Sequence, residues 1–306
     1  MLLLMCVFLP ACAHHPTAPA PQVDPRMEAW VKGGGVAVAP PAVCSELIQP
    51  LAMLGTALYE RDQAAWHASD AAMGMLKVLV AGGGDHAFEP WWLVESYGDR
   101  SVVEWVTSRS GTPEVLVEVD VVTADHQATV RQIDGIAEAF LDANGALKGE
   151  FTAQELAAAA RSRPLTDLEL AQFRAVQLAT AQAERPQAER MNVVTLPVNG
   201  EWWVYLLPAT TSSEVFVLGG AVEVIVKDGA IGDVYRHGQN VYTMPLTNPG
   251  GLAPIGYLAI PSMQCPSETF VFTSLQYDNL PIVLVGALGM WGIRGAEITY
   301  LGEVAR

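Results

Sequence analysis

The sequence predicts an α+β fold in which antiparallel sheets are packed by helices. Helical patterns at residues 41–80 and 152–190 alternate with regions rich in valine and aromatic residues. Short turn sequences separate the strand-like segments, which favours antiparallel neighbours. The expected units are an N-terminal helix plus antiparallel sheet over 41–151, a helical connector over 152–190 and a C-terminal antiparallel sheet domain over 191–306. The two sheet regions form either one domain or two α+β subdomains.

Pro50 interrupts the first helical pattern, because proline lacks the N–H that a helix interior needs. A short helix is therefore expected before it and a longer one after it. The sheet that follows is expected to contain the segments WWLVESY, SVVEWVT, EVLVEVDVV and QATVRQI. Alternation in the third segment places Glu114, Glu118 and Asp120 on one face and valines on the other, which predicts one solvated and one buried face.

Two capping-box patterns predict the helices of the connector. Thr152 with Glu155, and Thr166 with Glu169, have the spacing at which each side chain can bond the other residue's backbone N–H. The second pattern opens the segment LELAQFRAVQLATAQAER, which is expected to be the longer helix of the pair.

The C-terminal region is expected to be a sheet with tight turns at Asn199 and Gly200 and at Asp228 and Gly229. The strand EWWVYLLP is apolar on both faces, which predicts a central strand covered on both sides. The segments VFVLGG, AVEVIVK and AIGDVYR are expected to continue this sheet. Further strands are expected at IGYLAIPS, ETFVFTSLQ, PIVLVGALG, MWGIR and EITYLGE.

The chain opens with MLLLMCVFLPAC. Its apolar run at residues 2–9 is too short for a transmembrane helix, which needs about 20 residues, and fits the core of a secretory signal. The sequence Leu9-Pro10-Ala11-Cys12 resembles the lipobox of bacterial lipoproteins. That resemblance implies a signal peptide over 1–11, lipidation of Cys12, and a lipid anchor with a Pro/Ala-rich linker over 12–40.

One feature departs from the signal pattern, since no Lys or Arg precedes the apolar run. The alternative is an ordinary signal peptide cut after Ala11 or Ala13, which leaves a soluble periplasmic protein. Because Ala13 rather than Asp follows the cysteine, the lipoprotein resemblance implies the periplasmic face of the outer membrane. The strand containing YLLPAT and the Val/Gly-rich strands after it are similar to uncharacterised proteobacterial envelope lipoproteins, and this similarity implies no mechanism.

Composition limits the classes of partner. The chain is 51% hydrophobic and 16% charged, so a large core is expected and wholesale disorder is excluded. The formal charge of −16 provides no basic footprint for nucleic acid and leaves a basic protein or a cation as the electrostatic partner. Contact with the membrane is expected through the lipid on Cys12 rather than through charge.

Four cysteines are present, and Cys6 and Cys12 fall in the signal region. The mature protein then has Cys44 and Cys265. In an oxidising compartment these two can form a disulfide, but their spacing does not establish one, and two separate buried thiols are the expected state.

No catalytic motif is present, since both G-x-S-x-G and S-x-x-K are absent. Cys265 and His237 form the only Cys/His pair in the strand-rich C-terminal half, and they would serve as nucleophile and base if the side chains met. Against this, Cys265 lies in a turn-like Gln-Cys-Pro sequence and His237 precedes a glycine. No catalytic residue is therefore assigned, and these two remain the candidates.

No metal or cofactor is expected. The chain has neither H-E-x-x-H nor C-x-x-C. Residues 142–153 resemble a calcium-binding EF-hand loop, but Leu147 and Ala153 occupy the positions of the required Gly and Glu. The Asn144-Gly145 pair in that segment predicts a hairpin turn instead.

These observations favour a lipid-anchored, non-enzymatic envelope protein that binds a protein partner or supports envelope assembly. One version is an immunity-type protein whose acidic surface faces a basic toxin. The rival hypothesis is a cell-wall-directed hydrolase centred on His237 and Cys265 or on an acidic pair. A hydrolase predicts a concave pocket where polar side chains converge, whereas a binding protein predicts an exposed apolar or aromatic patch.

Overall fold

A computed structural model of the chain describes residues 24–34, 38–81, 87–109, 111–132, 148–149, 152, 162–182, 188, 190–246 and 255–304. Five helices and fifteen strands lie in these ranges, and antiparallel pairs dominate the four sheets, so the predicted α+β class is confirmed. The helices are α1 (Pro25–Val31), α2 (Ala42–Ser45), α3 (Ile48–Ala81), α4 (Asp167–Gln182) and α5 (Glu268–Gln276). The predicted signal with Cys12, the Asn144-Gly145 turn and the helix expected after Thr152 lie outside the described residues.

The first sheet is a meander of antiparallel strands in chain order, as predicted. Its strands are β1 (Ala87–Tyr97), β2 (Arg100–Arg109), β3 (Thr112–Val122) and β4 (Ala128–Gln132), and the short β5 (Arg163–Pro164) adds to β3. The face predicted to be solvated is covered instead. Phe173 of α4 packs on Leu93 and Val106, and Arg163 lies over Glu104 and Glu118.

The second sheet has the order β10-β9-β7-β6. Its strands are β6 (Arg190–Val198), β7 (Glu201–Ala209), β9 (Ala221–Lys227) and β10 (Ala230–His237). Positive φ angles at Asn199 (51°) and Gly200 (82°), and at Asp228 (49°) and Gly229 (74°), make the tight turns that the sequence predicts.

Strand β7 is central in this sheet and covered on both faces, which confirms the prediction from its sequence. Val204 and Leu206 share one core cluster with Ala175 and Val176 of α4. The alternate residues Tyr205 and Leu207 point to the opposite face of the strand, where they pack with Leu58 of α3.

Strand β8 (Val215–Leu218) does not continue that sheet, contrary to the prediction from VFVLGG. It pairs with β11 (Tyr242–Pro245) in a separate two-stranded sheet. Gly219 and Gly220, with φ angles of 79° and 74°, turn the chain between β8 and β9. A Cβ on Gly220 would lie 2.4 Å from Cγ2 of Val241, so the turn needs glycine for room as well as for conformation.

The fourth sheet contains a βαβ unit that the sequence reading missed. Its strands, in order, are β12 (Gly256–Ala259), β13 (Ile282–Gly286), β14 (Gly289–Arg294) and β15 (Glu297–Gly302). Strands β12 and β13 are parallel, and α5 is the crossover that parallel neighbours require. The strand predicted for ETFVFTSLQ was therefore wrong. Six of its nine residues are buried, three of them polar, so the pattern of polar and apolar residues shows neither helical nor strand periodicity.

Part of the predicted linker, which ends at residue 40, forms a helix. Asp24 caps α1 by accepting from the backbone N–H of Arg26, and Pro25 occupies the first helical position, where it is favoured. Trp30 lies against the backbone of Gly292, and the guanidinium of Arg294 is 5.2 Å from the centre of the Trp30 ring. Helix α1 is thus docked on the fourth sheet.

Helix α3 is 34 residues long and packs on α5 and on the first, second and fourth sheets. It begins before Pro50, which sits in the first turn, where no N–H is required. The predicted break occurs just ahead of it, between α2 and α3. Helix α3 therefore packs on three sheets and not on the first sheet alone. No helix in the described ranges is long and apolar enough to cross a bilayer.

Candidate functional site

Cys44 and Cys265 are joined by a disulfide, with their Cα atoms 5.6 Å apart. The expected pair of separate thiols is therefore wrong, and the alternative, a disulfide, is present. A cysteine acts as a nucleophile only as a free thiolate, so the disulfide-bonded Cys265 cannot attack a substrate. The candidate pair is not assembled, because His237 is engaged with two carboxylates instead.

His237 of β10 lies in a buried cluster whose side chains come from four elements. Its Nε2 atom is 3.1 Å from Oε2 of Glu223 on β9 and 3.6 Å from Oε1 of Glu268, the first residue of α5. Tyr205 of β7 is the cross-strand partner of Glu223. Glu223 and Glu268 are both buried, and the His237 side chain is 14% exposed. The four polar side chains thus share one small space between sheet and helix.

The electrostatics of this cluster are dominated by burial. Burial raises the pKa of the Glu268 carboxyl, the charge of His237 lowers it, and the charge of Glu223 raises it. Burial also raises the pKa of the Tyr205 hydroxyl, and the charges of Glu268 and Glu223 add to that effect. Neither the Tyr205 hydroxyl nor Oε1 of Glu268 makes a hydrogen bond of standard geometry.

Burial leaves little surface of this cluster for an organic substrate to contact, since the side chains of His237, Glu223 and Glu268 are 14%, 7% and 6% exposed. The nearby cavity lined by Ala221 and Thr269 holds about 10 Å³, which is the space of a single water. The arrangement can hold a proton or a small cation, and it cannot accommodate a polymer chain.

A second site is an open cleft of about 570 Å³ beside α3, which we call the tryptophan cleft. Trp66 of α3, 56% exposed, and the half-buried Trp92 of β1 supply its aromatic surface. Asp62, Arg190 and Asn192 supply polar groups. Large aromatic rings beside a few fixed polar groups are typical of a binding surface.

Asp62 is the only acidic residue among the described residues that line the tryptophan cleft. Nδ2 of Asn192 donates to its Oδ1 atom at 2.8 Å. Burial raises the pKa of Asp62 to about 6, although the hydrogen bond from Asn192 opposes the shift. A carboxyl with this pKa is ionised at neutral pH and becomes neutral in mild acid.

The sequence contains two pairs of adjacent tryptophans, Trp91-Trp92 and Trp202-Trp203, and the two pairs lie in different surroundings. Trp92 lines the tryptophan cleft, whereas the side chain of Trp91 lies outside the described residues. Trp202 and Trp203 pack on opposite faces of β7 in two core clusters. The second doublet is therefore structural.

A third polar cluster joins α4 to the first sheet. The Arg163 guanidinium donates to Glu104 at 2.7 Å, to Glu169 at 2.8 and 2.9 Å, and to Glu118 at 2.5 Å. Glu169 also accepts from the backbone N–H of Thr166, so the predicted capping box is confirmed. Burial, followed by the charge of Glu169, raises the pKa of Glu104 to about 9.

The histidines away from β10 do not build a metal centre in the described part of the chain. The rings of His67 and His126 stack at 4.6 Å. Burial and the charge of His126 lower the pKa of His67. Asp125 caps its own turn by accepting from the backbone N–H of Gln127. His86 lies outside the described residues.

The Glu223–His237–Glu268 cluster was missed because its members lie in three separate segments. One signal was available in the sequence. Glu223 interrupts the apolar run AVEVIVK, and Glu268 stands two residues before the apolar residues 270–272. A charged side chain in such a place is buried only if it finds a partner. The contacts of both residues with His237 depend on the strand order β7-β9-β10 and on the helical form of α5, and neither follows from the sequence pattern.

No family model matches the chain, and no curated protein matches it in sequence. The two sites are therefore defined by their geometry and chemistry.

Proposed function

We propose that the protein is a lipid-anchored, non-enzymatic envelope protein that binds a protein partner through the tryptophan cleft. The observation that carries this proposal is the exposed indole of Trp66 beside Trp92 and Arg190. Tryptophan and arginine dominate the binding energy of protein interfaces. An exposed aromatic patch is also what a binding protein predicts and a hydrolase does not.

The chemistry of the cleft favours a basic partner. The recessed carboxylate of Asp62 can accept a Lys or Arg side chain, and the chain as a whole carries a formal charge of −16. An immunity-type protein that blocks a basic toxin is one member of this class. Electrostatic attraction would accelerate the encounter, and the indoles would hold the complex.

An envelope location is supported by two independent features. The Leu9-Pro10-Ala11-Cys12 sequence supports lipidation of Cys12, with the protein on the periplasmic face of the outer membrane. The disulfide between Cys44 and Cys265 fits an oxidising compartment, because disulfides rarely persist in the cytosol.

The hydrolase alternative has less support. Glycoside hydrolysis uses two carboxyl groups facing the scissile bond, and the described lining of the cleft offers Asp62 alone. The cysteine nucleophile of that hypothesis is held in a disulfide.

The anchor is tested by expressing the native chain and the Cys12→Ala variant and fractionating the cells. The native chain should enter the membrane fraction, and Cys12→Ala should be released as a soluble periplasmic protein. Soluble behaviour of both forms would remove the lipid anchor from the proposal.

Partner binding is tested by affinity capture from the periplasm and the medium with the native chain, Trp66→Ala and Tyr257→Ala. Tyr257 is 49% exposed on the fourth sheet, so its variant controls for loss of any exposed aromatic ring. A basic protein retained by the native chain and Tyr257→Ala but lost with Trp66→Ala supports the proposal. Equal capture by all three forms, or cleavage of cell-wall fragments that Asp62→Asn abolishes, would overturn it.

A further inference from the structure

The carboxylates of Glu223 and Glu268 and the imidazole of His237 form a compact set of potential ligands. One ligand atom from each residue lies within 4.8 Å of the other two. A tetrahedral metal ion with bonds of about 2.1 Å places its ligand atoms about 3.4 Å apart. The distances of 3.1 and 3.6 Å from Nε2 of His237 to the two carboxylates bracket that spacing.

The charge balance and two buried polar atoms that lack a standard hydrogen bond also point to a cation. Two carboxylates face each other here with less than a tenth of their side-chain surface exposed, and burying such a pair is costly without a counter-charge. Oε1 of Glu268 and the hydroxyl of Tyr205 are buried without a hydrogen bond of standard geometry. Glu268 is only 4% exposed, and its oxygen faces His237. A divalent ion would neutralise both carboxylates and use this oxygen.

From this geometry we propose that Glu223, His237 and Glu268 bind one divalent transition-metal ion, with Zn²⁺ as the best match. An imidazole combined with carboxylates suits zinc, whereas Mg²⁺ and Ca²⁺ take more ligands, mostly oxygen. Zinc commonly has three protein ligands and a fourth position, which the Tyr205 hydroxyl or one water can fill here.

The ion would have a structural role. Its three ligands are nearly buried, with side-chain exposures of 6–14%, and the cavity lined by the nearby Ala221 and Thr269 holds about 10 Å³, which is room for one water. Its ligands come from β9, β10 and the first turn of α5. The metal would therefore fasten the crossover helix of the fourth sheet to the second sheet, independently of the proposed partner binding.

The test uses full-length protein in detergent, freed of metal with EDTA and titrated with ZnCl₂ by calorimetry. Wild type should bind one equivalent that Glu223→Gln and Glu268→Gln weaken by at least ~10-fold, and Glu297→Gln should match wild type. Glu297 is exposed on β15, so it controls for the loss of one acidic group. Any weak binding by the His14–His15 pair should be the same in all forms.

Two further measurements keep the result interpretable if a variant folds poorly. X-ray absorption at the zinc edge of wild type should show one imidazole and otherwise oxygen ligands. At a fixed zinc concentration, the melting temperature of wild type should rise more than that of Glu268→Gln. Absence of saturable zinc binding by wild type, or equal affinity in wild type and both Gln variants, would overturn the proposal.

Discussion

Gly55 of α3 touches Val271 of α5 so closely that a Cβ atom on Gly55 would lie 2.4 Å from the Cβ of Val271 and 2.6 Å from the carbonyl oxygen of Glu268. The long helix and the crossover helix therefore approach each other backbone to backbone. Their separation is set by a missing side chain, and Glu268 belongs to the proposed metal site.

Gly55→Ala should destabilise the protein, although alanine is the better helix former by about 1 kcal/mol. Overpacking against Val271 typically costs ~1–3 kcal/mol, which outweighs that gain. We expect a lower urea midpoint and a weaker zinc affinity, because displaced α5 carries Glu268 with it. Met53→Ala, on the same helix at a position 65% exposed, should change neither quantity. A more stable Gly55→Ala would show that the two helices are not in this contact.

Removing the disulfide should lower the free energy of unfolding by ~2–5 kcal/mol, since its loop spans 221 residues. The comparison is urea unfolding of the native chain and the Cys44→Ala/Cys265→Ala variant, both without reductant. Adding dithiothreitol should shift the native chain toward the variant and leave the variant unchanged. Identical midpoints for the two proteins would show that the cysteines are not bonded.

Arg163→Met should destabilise the protein by ~2–4 kcal/mol, because three partly or fully buried carboxyl groups lose the guanidinium that they share. This loss lies at the lower end of the range for buried ion pairs, because the Arg163 side chain is partly exposed. Lys227→Met removes a solvent-exposed ion pair with Glu201 and should leave the urea midpoint unchanged. Similar midpoints for the two variants would mean that the Arg163 cluster does not form.

The stability of the wild type should fall as the pH rises from about 5 toward 9, with Glu104 as one cause. Its pKa is raised from 4.5 to about 9 in the folded protein. Between those values the folded state holds a proton that the unfolded state has lost, so raising the pH favours unfolding. Glu104→Gln mimics the protonated carboxyl. Its stability relative to wild type should therefore increase across urea series at pH 5.5, 7 and 8.5, and a constant difference would refute this assignment.

The sequence predicted what depends on local chemistry. The glycine turns at Asn199-Gly200 and Asp228-Gly229, the capping box at Thr166 and the double-sided burial of β7 all follow from short-range patterns. Alternation and turn chemistry determine such features within a few residues.

The features that the sequence did not predict depend on packing between segments that are far apart in the chain. The segment over 268–276 is buried on most sides although it mixes polar and apolar residues, so no periodicity marks it as a helix. Its form is decided by the parallel strands that it connects. The same error hid the Glu223–His237–Glu268 cluster, because Glu268 reaches His237 only from the start of that helix. Asp62 and Trp92 likewise meet in the tryptophan cleft only when α3 lies on the first sheet.

The bond between Cys44 and Cys265 also determines how the protein responds to a protease. It closes a covalent ring that contains α3, α4 and the first three sheets. A single cut in any connection of this ring opens it without releasing a fragment, so a tethered molecule would keep its C-terminal sheet at the membrane surface. Nicked protein would run as one species under oxidising conditions and as two pieces only after reduction.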